Sequence, residues 1–588
     1  GAGPHTMQWD EGWGAINDWF NRGAVLKYET ASGTWSNVSP ENFIEPEADS
    51  KYNSPSEYVA CYGGVSVNQS NPQEIVVSSI GYRGPQFWKL PGTGNSWKDQ
   101  WGSNIYHSKD GGKTWAPSFQ YYWMEGGVYP TVEQMSENGI GWMFNSSIHW
   151  SGSVVFDPFN SNKVWVTSGN GVFATSNIKD YTLDSTESWN IKLIQNTLWK
   201  VMSHGIEETV PLDVVSIPGG PLISVIGDYD GFRHDDITKY PSNRHFTNVG
   251  DEKVGLGNTR ALAYASKSGK LVKVSDARVY EGQYNDIPIS PLQFSSDKGS
   301  TWSVTTYPSG VPNSSLKGGF SVAISTDGDV VLWTPLEGAT EGDQVVQRYA
   351  NSAWSTVSGI NGSYVVGDPE NANIFYAYNR KSGTMSKSTD KGISFSKVST
   401  PGTSDFSKFR LVPNKEGDIW LPLTENGLAR STDGGASFKP ISTVSYCEAV
   451  GFGKAADGKT FPTVFIFGTV GSATGVFMST DEGESWVRAN DDDHEYGGLA
   501  NGEFVVGDMN VYGRVYMSTA GRGIVYGEIT GTTTPINNSP TPHSPQATSH
   551  SPITYYSIKG EPLGSAKPQK AGIYIVKQGS SVQKISVR

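Results

Sequence analysis

Four carboxylates lie in one short stretch of the sequence, Leu222–Asp236, which reads LISVIGDYDGFRHDD. Its first five residues predict a strand, and the glycines at positions 227 and 231 predict a turn after it. If this strand is the innermost one in a ring of sheets, its end opens at the central mouth. A carboxylate in the turn, at Asp228 or Asp230, is then well placed for general acid catalysis, provided that burial or nearby negative charge raises its pKa. The alternative is a turn carboxylate that only accepts backbone N–H groups.

The side chains around and after this turn also have two interpretations each. Tyr229, Arg233 and His234 are predicted to bind substrate, whereas the alternative for Arg233 and His234 is a surface position in ion pairs such as one with Asp235. A metal site made of His234, Asp235 and Asp236 is disfavoured, because neighbouring side chains in a strand point to opposite faces. The sequence predicts neither a metal nor a cofactor.

Tryptophan is frequent, with 19 residues in the chain, and three of them lie in one predicted loop. The segment Tyr82–Asn104 carries Trp88, Trp97 and Trp101 among glycines and prolines, a composition that core packing does not explain. Flat aromatic faces stack on the C–H faces of sugar rings, so these side chains are predicted to bind a glycan. Trp142 is a further candidate, with core packing as an equal alternative.

One motif occurs five times and indicates the elements that must position these residues. It has the pattern Ser-x-Asp-x-Gly-x-(Thr/Ser)-(Trp/Phe) and lies at Ser108–Trp115, Ser295–Trp302, Ser388–Phe395, Ser431–Phe438 and Ser479–Trp486. In such a turn the Ser and Asp side chains accept backbone N–H groups, the Gly adopts a positive φ, and the final aromatic packs beneath the turn. This pattern is the Asp-box of β-propellers, which is expected on the outer rim.

The spacing of the motifs predicts the architecture. Their Asp residues are separated by 187, 93, 43 and 48 residues, which is about four, two, one and one four-stranded blades. We therefore predict an all-β fold: a seven-bladed β-propeller with Asp-box repeats, plus the last blade or blades of a second, incomplete propeller. The expected boundaries are residues 1–125 for the end of the first propeller, 126–515 for the second, and 516–529 for a closing strand pair.

The composition changes beyond residue 529. Residues 530–552 are rich in Pro, Ser and Thr and predict an extended linker. Residues 553–588 are basic and resemble the C-terminal sorting or attachment tails of secreted bacterial proteins, with a short basic surface-binding tail as the alternative. This resemblance implies a secreted or cell-surface bacterial protein whose tail engages secretion or cell-surface machinery.

Charge and hydropathy disfavour several kinds of partner. The net charge of −13 makes nucleic acids and anionic membranes poor partners, and no run approaches the roughly 20 apolar residues of a membrane-spanning helix. Two cysteines, Cys61 and Cys447, are too few for a disulfide framework, and both are expected to be buried and unreactive. Because the chain begins with Gly, it is expected to be part of a longer protein.

Five stretches together resemble glycoside hydrolase family 74, the xyloglucanases. They are Phe156–Gly171, Gly205–Pro218, Leu222–Asp236, Val322–Trp333 and Thr519–Tyr526. The resemblance runs from near residue 1 to about residue 529. Its most specific element is the Gly-Asp-x-x-Gly-Phe-Arg-His-Asp-Asp run, since Asp-boxes are shared with many other propellers.

This resemblance implies two seven-bladed propellers with a cleft between them, and hydrolysis of the β-1,4-glucan backbone of xyloglucan with inversion, by one Asp from each propeller. It implies Asp228 as the general acid, with Asp230 as the fallback, because Tyr229-Asp230 stands where the family commonly has Ile-Gly. It also implies that Trp101, and next Trp97, stack on the glucan on the leaving-group side. The family's base lies in an Asp-Ile-Gly-Gly turn, for which this chain has no equivalent segment.

Two other functions compete with this one. A non-catalytic propeller that binds glycans or proteins is the alternative, and a sialidase would also carry Asp-boxes. A sialidase needs an arginine triad and a Tyr–Glu pair, of which the sequence offers no convincing set. The sequence therefore predicts an enzyme acting on xyloglucan or a related β-glucan, with this chain carrying the acid but not the base and turning over poorly by itself.

Overall fold

A computed structural model of the chain describes residues 24–40, 61–80, 84–85, 99–100, 105–118, 121–122, 127–128, 151–169, 171–184, 192–195, 197–203, 205, 209–227, 229–241, 244–249, 252–254, 259–275, 291–305, 319–335, 344–406, 408–500, 502–529, 553–557, 562–565, 568, 570, 572–578 and 581–587. Within these ranges every regular element is a β-strand, so the predicted all-β class is confirmed. No helix long and apolar enough to span a membrane occurs among the described residues.

The first part of the chain forms short strands in small sheets. In chain order they are β1 (Leu26–Glu29), β2 (Thr34–Asn37), β3 (Cys61–Val67), β4 (Ile75–Ile80), β5 (Gly84–Pro85), β6 (Asp99–Gln100), β7 (Ile105–Ser108), β8 (Ala116–Pro117), β9 (Tyr121–Tyr122), β10 (Gly127–Val128), β11 (Val154–Asp157), β12 (Asn160–Ser168), β13 (Gly171–Thr175), β14 (Tyr181–Asp184), β15 (Lys192–Gln195) and β16 (Trp199–Val201). The two four-stranded sheets have the orders β3-β4-β7-β8 and β11-β12-β13-β16, and the other strands pair in twos.

The next part contains most of the strands. They are β17 (Pro211–Ser216), β18 (Leu222–Ile226), β19 (Asp230–His234), β20 (Thr247–Val249), β21 (Glu252–Val254), β22 (Ala261–Tyr264), β23 (Leu271–Val274), β24 (Leu292–Ser295), β25 (Trp302–Val304), β26 (Gly319–Ile324), β27 (Val330–Pro335), β28 (Val346–Ala350), β29 (Ala353–Val357), β30 (Tyr364–Gly367), β31 (Phe375–Asn379), β32 (Thr384–Ser388), β33 (Ser396–Ser399), β34 (Arg410–Leu411), β35 (Ile419–Pro422), β36 (Leu428–Ser431), β37 (Lys439–Pro440), β38 (Val444–Gly453), β39 (Thr463–Val470), β40 (Ala473–Ser479), β41 (Val487–Arg488), β42 (Val505–Gly507), β43 (Val515–Ser518) and β44 (Ile524–Gly527).

These strands form seven successive sheets: β17–β19, β20–β25, β26–β29, β30–β33, β34–β37, β38–β41 and β42–β44. A hydrophobic cluster lies between each sheet and the next. The seventh sheet packs against the first, where Phe504 and Tyr516 meet Val214 and Leu222. The succession of sheets therefore closes on itself.

Packing on both sides explains why strands such as β18, in which Ser224 is the one polar residue, are buried along their whole length. Successive side chains of a strand point to opposite faces. Ile223 and Val225 belong to the cluster shared with the second sheet, whereas Leu222 faces the seventh sheet. Because neighbouring sheets cover both faces, alternation of polar and apolar residues is absent, and the period-2 signal of an exposed sheet is lost.

The hydrogen bonds predicted for the repeated motif are present in all five copies. In the fourth copy, Ser431 Oγ donates to Asp433 Oδ1 at 2.7 Å, and the amides of Gly435 and Ser437 donate to Ser431 Oγ and Asp433 Oδ1, each at 2.9 Å. The other copies repeat these bonds. Hydrogen bonds from the hydroxyl and amide of Ser437 lower the pKa of Asp433 to about 2. The motif glycines have φ values from 73° to 88°.

The closing aromatic of the motif packs between sheets, as predicted. Trp302 is 1% exposed and belongs to the cluster between the first and second sheets. Trp486 is 6% exposed and lies in the cluster between the fifth and sixth sheets. Each of these motifs thus joins a local turn to a contact between neighbouring sheets.

The segment after residue 533 is a separate compact unit. Its strands β45 (Ile553–Ser557), β46 (Pro562–Gly564), β47 (Gly572–Gln578) and β48 (Ser581–Val587) form one antiparallel sheet in the order β46-β45-β47-β48. The division at Thr533 falls within the segment 530–552 that the sequence predicts as a linker.

Two details differ from what the sequence suggested. Strand β18 is the middle strand of its sheet and not the innermost one, because the contacts with the second and seventh sheets run mainly through β17. The seven sheets lie within residues 211–527, whereas the second propeller was predicted at 126–515. The domain boundaries 1–125, 126–515, 516–529, 530–552 and 553–588 stay predictions.

Candidate active site

The turn between β18 and β19 is held by backbone hydrogen bonds on both sides of position 228. The amide of Gly227 donates to the carbonyl of Val210 at 2.9 Å, and the amide of Tyr229 donates to the carbonyl of Gly227 at 2.7 Å. The amide of Gly231 then donates to the carbonyl of Tyr229 at 2.9 Å. The turn is therefore tight, and it lies beside the start of β17.

This turn and the Asp-box turns lie at opposite ends of the strands. Each sheet thus has two sides at which its strands begin or end, and these are the edges referred to here. It joins the second and third strands of its sheet, whereas the Asp-box turns at Asp297, Asp390, Asp433 and Asp481 join third and fourth strands. In an antiparallel sheet of sequential strands, consecutive turns alternate between the two edges. The far end of β19 accordingly meets the Asp297 turn, as described below for Arg233.

Asp230, the first residue of β19, is completely buried. Its Oδ1 lies 2.5 Å from Nζ of Lys273, which is also completely buried, and accepts a hydrogen bond of 2.5 Å from Thr259 Oγ1. Its φ is +73°, in the left-handed region that costs an L-residue about 1 kcal/mol or more. The pKa of Lys273 is lowered, mainly by desolvation, against the attraction of Asp230.

Arg233 and His234 lie at the other end of β19, some 10 Å or more along the strand from Asp230. Arg233 pairs with Asp235 at 2.8 Å, donates to the hydroxyl of Ser300 and approaches the carbonyl of Asp297 at 3.4 Å. His234 Nε2 is 2.9 Å from Ser224 Oγ, and burial lowers the pKa of His234 to about 4. The structure thus joins Arg233 to the Asp-box turn and His234 to β18. The role of both residues in sugar binding stays a prediction.

Tyr229 is half-buried and packs against a hydrophobic cluster that extends from the first part of the chain to this turn. The cluster contains Ile226 and Phe232 of the first of the seven sheets, together with residues such as Val76 and Phe173 from the two earlier four-stranded sheets. The turn is therefore supported by apolar side chains from both parts of the chain. Binding of sugar by Tyr229 stays a prediction.

A charged cluster that the sequence did not indicate lies at the edge where the first strands begin. Lys408 Nζ donates to the carbonyls of Leu212 and Gly502, at 2.7 and 2.6 Å, and so joins the fifth, first and seventh sheets. Asp213 Oδ1 lies 3.4 Å from Nη2 of Arg410 and 3.9 Å from Lys408 Nζ. No motif marks these residues, because their partners come from strands far apart in sequence.

The remaining predicted site residues lie outside the described residues: Asp228, Trp88, Trp97, Trp101 and Trp142. Cys447 is buried with a free thiol, and desolvation raises its pKa, while the side chain of Cys61 lies outside the described part. Within the described ranges there is no group of three or more His, Cys, Asp or Glu side chains that could hold a metal ion.

Seven successive sheets, with Asp-box turns at one sheet edge and the turn between β18 and β19 at the opposite edge, define a class of all-β proteins built from repeated sheets. No protein-family model matches the chain. Curated proteins do match: a xyloglucanase of Acetivibrio thermocellus is 32% identical over 549 residues, covering 89% of this chain and 56% of that protein. A xyloglucanase of a Paenibacillus species is 30% identical over 558 residues, covering 90% of this chain and 48% of that protein.

Solved structures agree with these relatives. The crystal structure of a family 74 glycoside hydrolase from Niastella koreensis superposes with a TM-score of 0.66 at 35% identity, covering 86% of this chain and 63% of that one. A family 74 xyloglucanase from Xanthomonas campestris gives a TM-score of 0.67 at 27% identity, covering 87% and 64%. The chain is thus related over most of its length to glycoside hydrolase family 74, which confirms the resemblance. It spans about half the length of the curated relatives quoted above.

Proposed function

We propose that this chain takes part in the inverting hydrolysis of the β-1,4-glucan backbone of xyloglucan, with Asp228 as the general acid. The observation that carries the proposal is the position of its turn, at the sheet edge away from the Asp-boxes and beside the start of β17. The names of the relatives, xyloglucanases of Acetivibrio thermocellus and Paenibacillus, support the substrate. The closing succession of sheets supports a seven-bladed propeller, with the earlier strands belonging to a second, incomplete one.

The placement of Asp230 favours Asp228 as the acid. A general acid must reach the leaving oxygen within hydrogen-bond distance, about 2.6–3.2 Å. The carboxylate of Asp230 is enclosed and paired with Lys273, so it has no surface to offer to a sugar. Between the two candidates in the turn, Asp228 is therefore the one we assign.

In the proposed mechanism the protonated Asp228 gives its proton to the glycosidic oxygen as the bond to C1 breaks. A water molecule attacks C1 from the opposite face and loses its proton to an ionised second carboxylate, about 6.5–9.5 Å from the acid. We propose that this base lies outside residues 1–588 and that Trp101, Trp97 and Trp88 stack on the glucan. The basic C-terminal unit is proposed to serve secretion or cell-surface attachment.

The proposal is tested by measuring the hydrolysis of xyloglucan with a longer form of the protein, one that also carries the proposed base. Asp228→Asn is expected to lower kcat by about 10²–10⁴-fold without loss of folding. Asp236→Asn is the matched control, because Asp236 is an exposed carboxylate of the same run that pairs with Lys239 at 3.1 Å. Equal rates for wild type and Asp228→Asn would remove Asp228 from the reaction.

Stereochemistry and the isolated chain provide two further tests. Proton NMR of the first product should show the α-anomer before mutarotation, and a β-anomer would contradict inversion.

Residues 1–588 alone should bind xyloglucan weakly and release reducing sugar very slowly. Fast hydrolysis by this chain would place the base within it, and binding without turnover in every form of the protein would favour the non-catalytic propeller.

A further inference from the structure

The ion pair between Asp230 and Lys273 lies directly beneath the proposed catalytic turn. Asp230 begins β19 in the first sheet and Lys273 belongs to β23 in the second sheet, so the pair fastens the end of the turn to a neighbouring sheet. Lys273 Nζ also lies 4.6 Å from the ring centroid of Trp302, the closing aromatic of an Asp-box. The turn is thereby connected to the hydrophobic cluster between the first and second sheets.

This arrangement is energetically expensive at Asp230. The residue adopts a positive φ, its charge is withdrawn from water, and its Oδ2 has no hydrogen-bond partner among the described residues. Burial of an ion pair often stabilises a fold no better than apolar residues of similar size would. A costly feature next to a proposed reacting group suggests a role in holding that group in place.

Two neighbours make the position of the turn still more rigid. The amide of His245 donates to the carbonyl of Gly231 at 2.8 Å, and the His245 ring packs against Trp302 with a centroid distance of 5.1 Å. A Cβ at Gly231 would lie 2.2 Å from the carbonyl oxygen of Ser224, so the chain at 231 approaches β18 as closely as glycine allows. Asp228 is two residues from Asp230, which limits their Cα separation to about 7 Å.

We propose that Asp230 and Lys273 are positioning residues that hold the turn in the conformation in which Asp228 delivers its proton. This inference rests on the proposed role of Asp228. Asp230 acts through the backbone of the turn and Lys273 acts through Asp230. Neither touches substrate, so both influence proton delivery and leave sugar binding almost unchanged.

The test compares two substrates that differ in their need for an acid. Both are xyloglucan oligosaccharide glycosides: one has a sugar as leaving group, and the other has an activated aryl group that departs without protonation. Asp230→Asn and Lys273→Met are each expected to lower kcat on the sugar-leaving substrate by about 10- to 100-fold, with KM nearly unchanged. Activity on the aryl substrate should fall less than threefold. Equal losses on both substrates would reduce the pair to a structural role and overturn the inference.

A double-mutant cycle separates this inference from the proposed function. Asp230→Asn added to Asp228→Asn is expected to cost nothing further on the sugar-leaving substrate, because the acid through which it acts is already gone. If the losses in kcat of the two single variants multiply in the double variant, the inference is overturned, while the role of Asp228 is left intact. If Asp228→Asn itself shows no preference for the aryl substrate, the proposed function fails first.

Folding is controlled in two ways. The double variant Asp230→Gly with Lys273→Met removes both buried charges and places glycine at the positive φ, so it should fold and still show the selective loss. Asp418→Asn is the matched control, because Asp418 and Arg430 form a partly buried pair at 2.7 Å near the Asp481 turn, at the opposite edge. It should lower stability without changing the ratio of the two activities, and a changed ratio there would overturn the inference.

Discussion

Arg410 and Asp213 approach each other to 3.4 Å although they belong to the fifth and first of the seven sheets. These sheets are not neighbours in the succession, so the contact crosses the space between the first strands. Asp213 is 2% exposed, and Lys408, which precedes β34 of the fifth sheet, shares its carboxylate. Lys408 also donates to the carbonyls of Leu212 in the first sheet and of Gly502, which precedes the seventh. The cluster therefore ties three sheets together at the edge that carries the proposed acid.

Removing Asp213 should destabilise the fold strongly. Asp213→Ala leaves Arg410 and Lys408 without their carboxylate, and loss of one partner of a buried ionic cluster costs about 3–5 kcal/mol. Asp492→Ala is the control, because Asp492 pairs with Arg488 at 2.6 Å while its own side chain is 88% exposed, where about 0–1 kcal/mol is expected. Urea unfolding measures both, and similar changes would show that the cluster carries no special stability.

Crowding beneath the Asp-box turn can be separated from its backbone strain by two glycine variants. Gly483 and Gly458 have φ values of +86° and +76°, so alanine is strained by a similar amount at each. A Cβ at Gly483 would lie 3.1 Å from the indole of Trp420, whereas at Gly458 nothing lies within 4 Å. Gly483→Ala should therefore lower the unfolding free energy by about 1–2 kcal/mol more than Gly458→Ala. Equal losses by thermal unfolding would assign the cost to φ alone.

Glu503 should make stability depend on pH near neutrality. Burial raises the pKa of Glu503 to about 7, against the opposing effect of Lys408 and with help from Glu448. The folded state then binds a proton that the unfolded state, with a pKa of 4.5, has already lost. The stabilisation is fully present below pH 4.5 and disappears as the pH rises through 7.

Comparison of the wild type with Glu503→Gln between pH 4.5 and 8 isolates this group. Stability of the wild type should fall by about 1 kcal/mol more than that of the variant, since Glu503 is only partly enclosed. Glu495→Gln is the control at an exposed glutamate, and its unfolding free energy should depend on pH as that of the wild type does. If the unfolding free energy of Glu503→Gln depends on pH as steeply as that of the wild type, the raised pKa of Glu503 is contradicted.

The predicted tryptophan loop is tested by binding. Trp101→Ala, and to a smaller degree Trp97→Ala, should weaken binding to long xyloglucan chains more than to short oligosaccharides, because a stacking site contributes only when a sugar reaches it. Calorimetric titration with substrates of both lengths measures the difference. Identical affinities for the polymer before and after substitution would exclude these residues from the binding surface.

Local features of the fold and of the site could be predicted from the sequence. The five Asp-box turns are local, since Ser, Asp and Gly within a few residues supply all of their hydrogen bonds and left-handed φ values. The turn after Leu222–Ile226 was predicted for the same reason. The relation to family 74 was also recognisable, because the motif at residues 227–236 is contiguous in the chain.

Only the tertiary structure decided which residues of this motif are buried and which reach the opposite sheet edge. Asp230 and Arg233 are three residues apart in sequence, yet one is buried beside Lys273 and the other reaches the Asp-box turn at the opposite sheet edge. Likewise, Asp213 meets Arg410 across 197 positions of the chain. Such contacts depend on strand order and on closure of the sheets, and no local pattern encodes them. The attraction between these charges becomes strong only when they are removed from water, and this happens only once the sheets have packed.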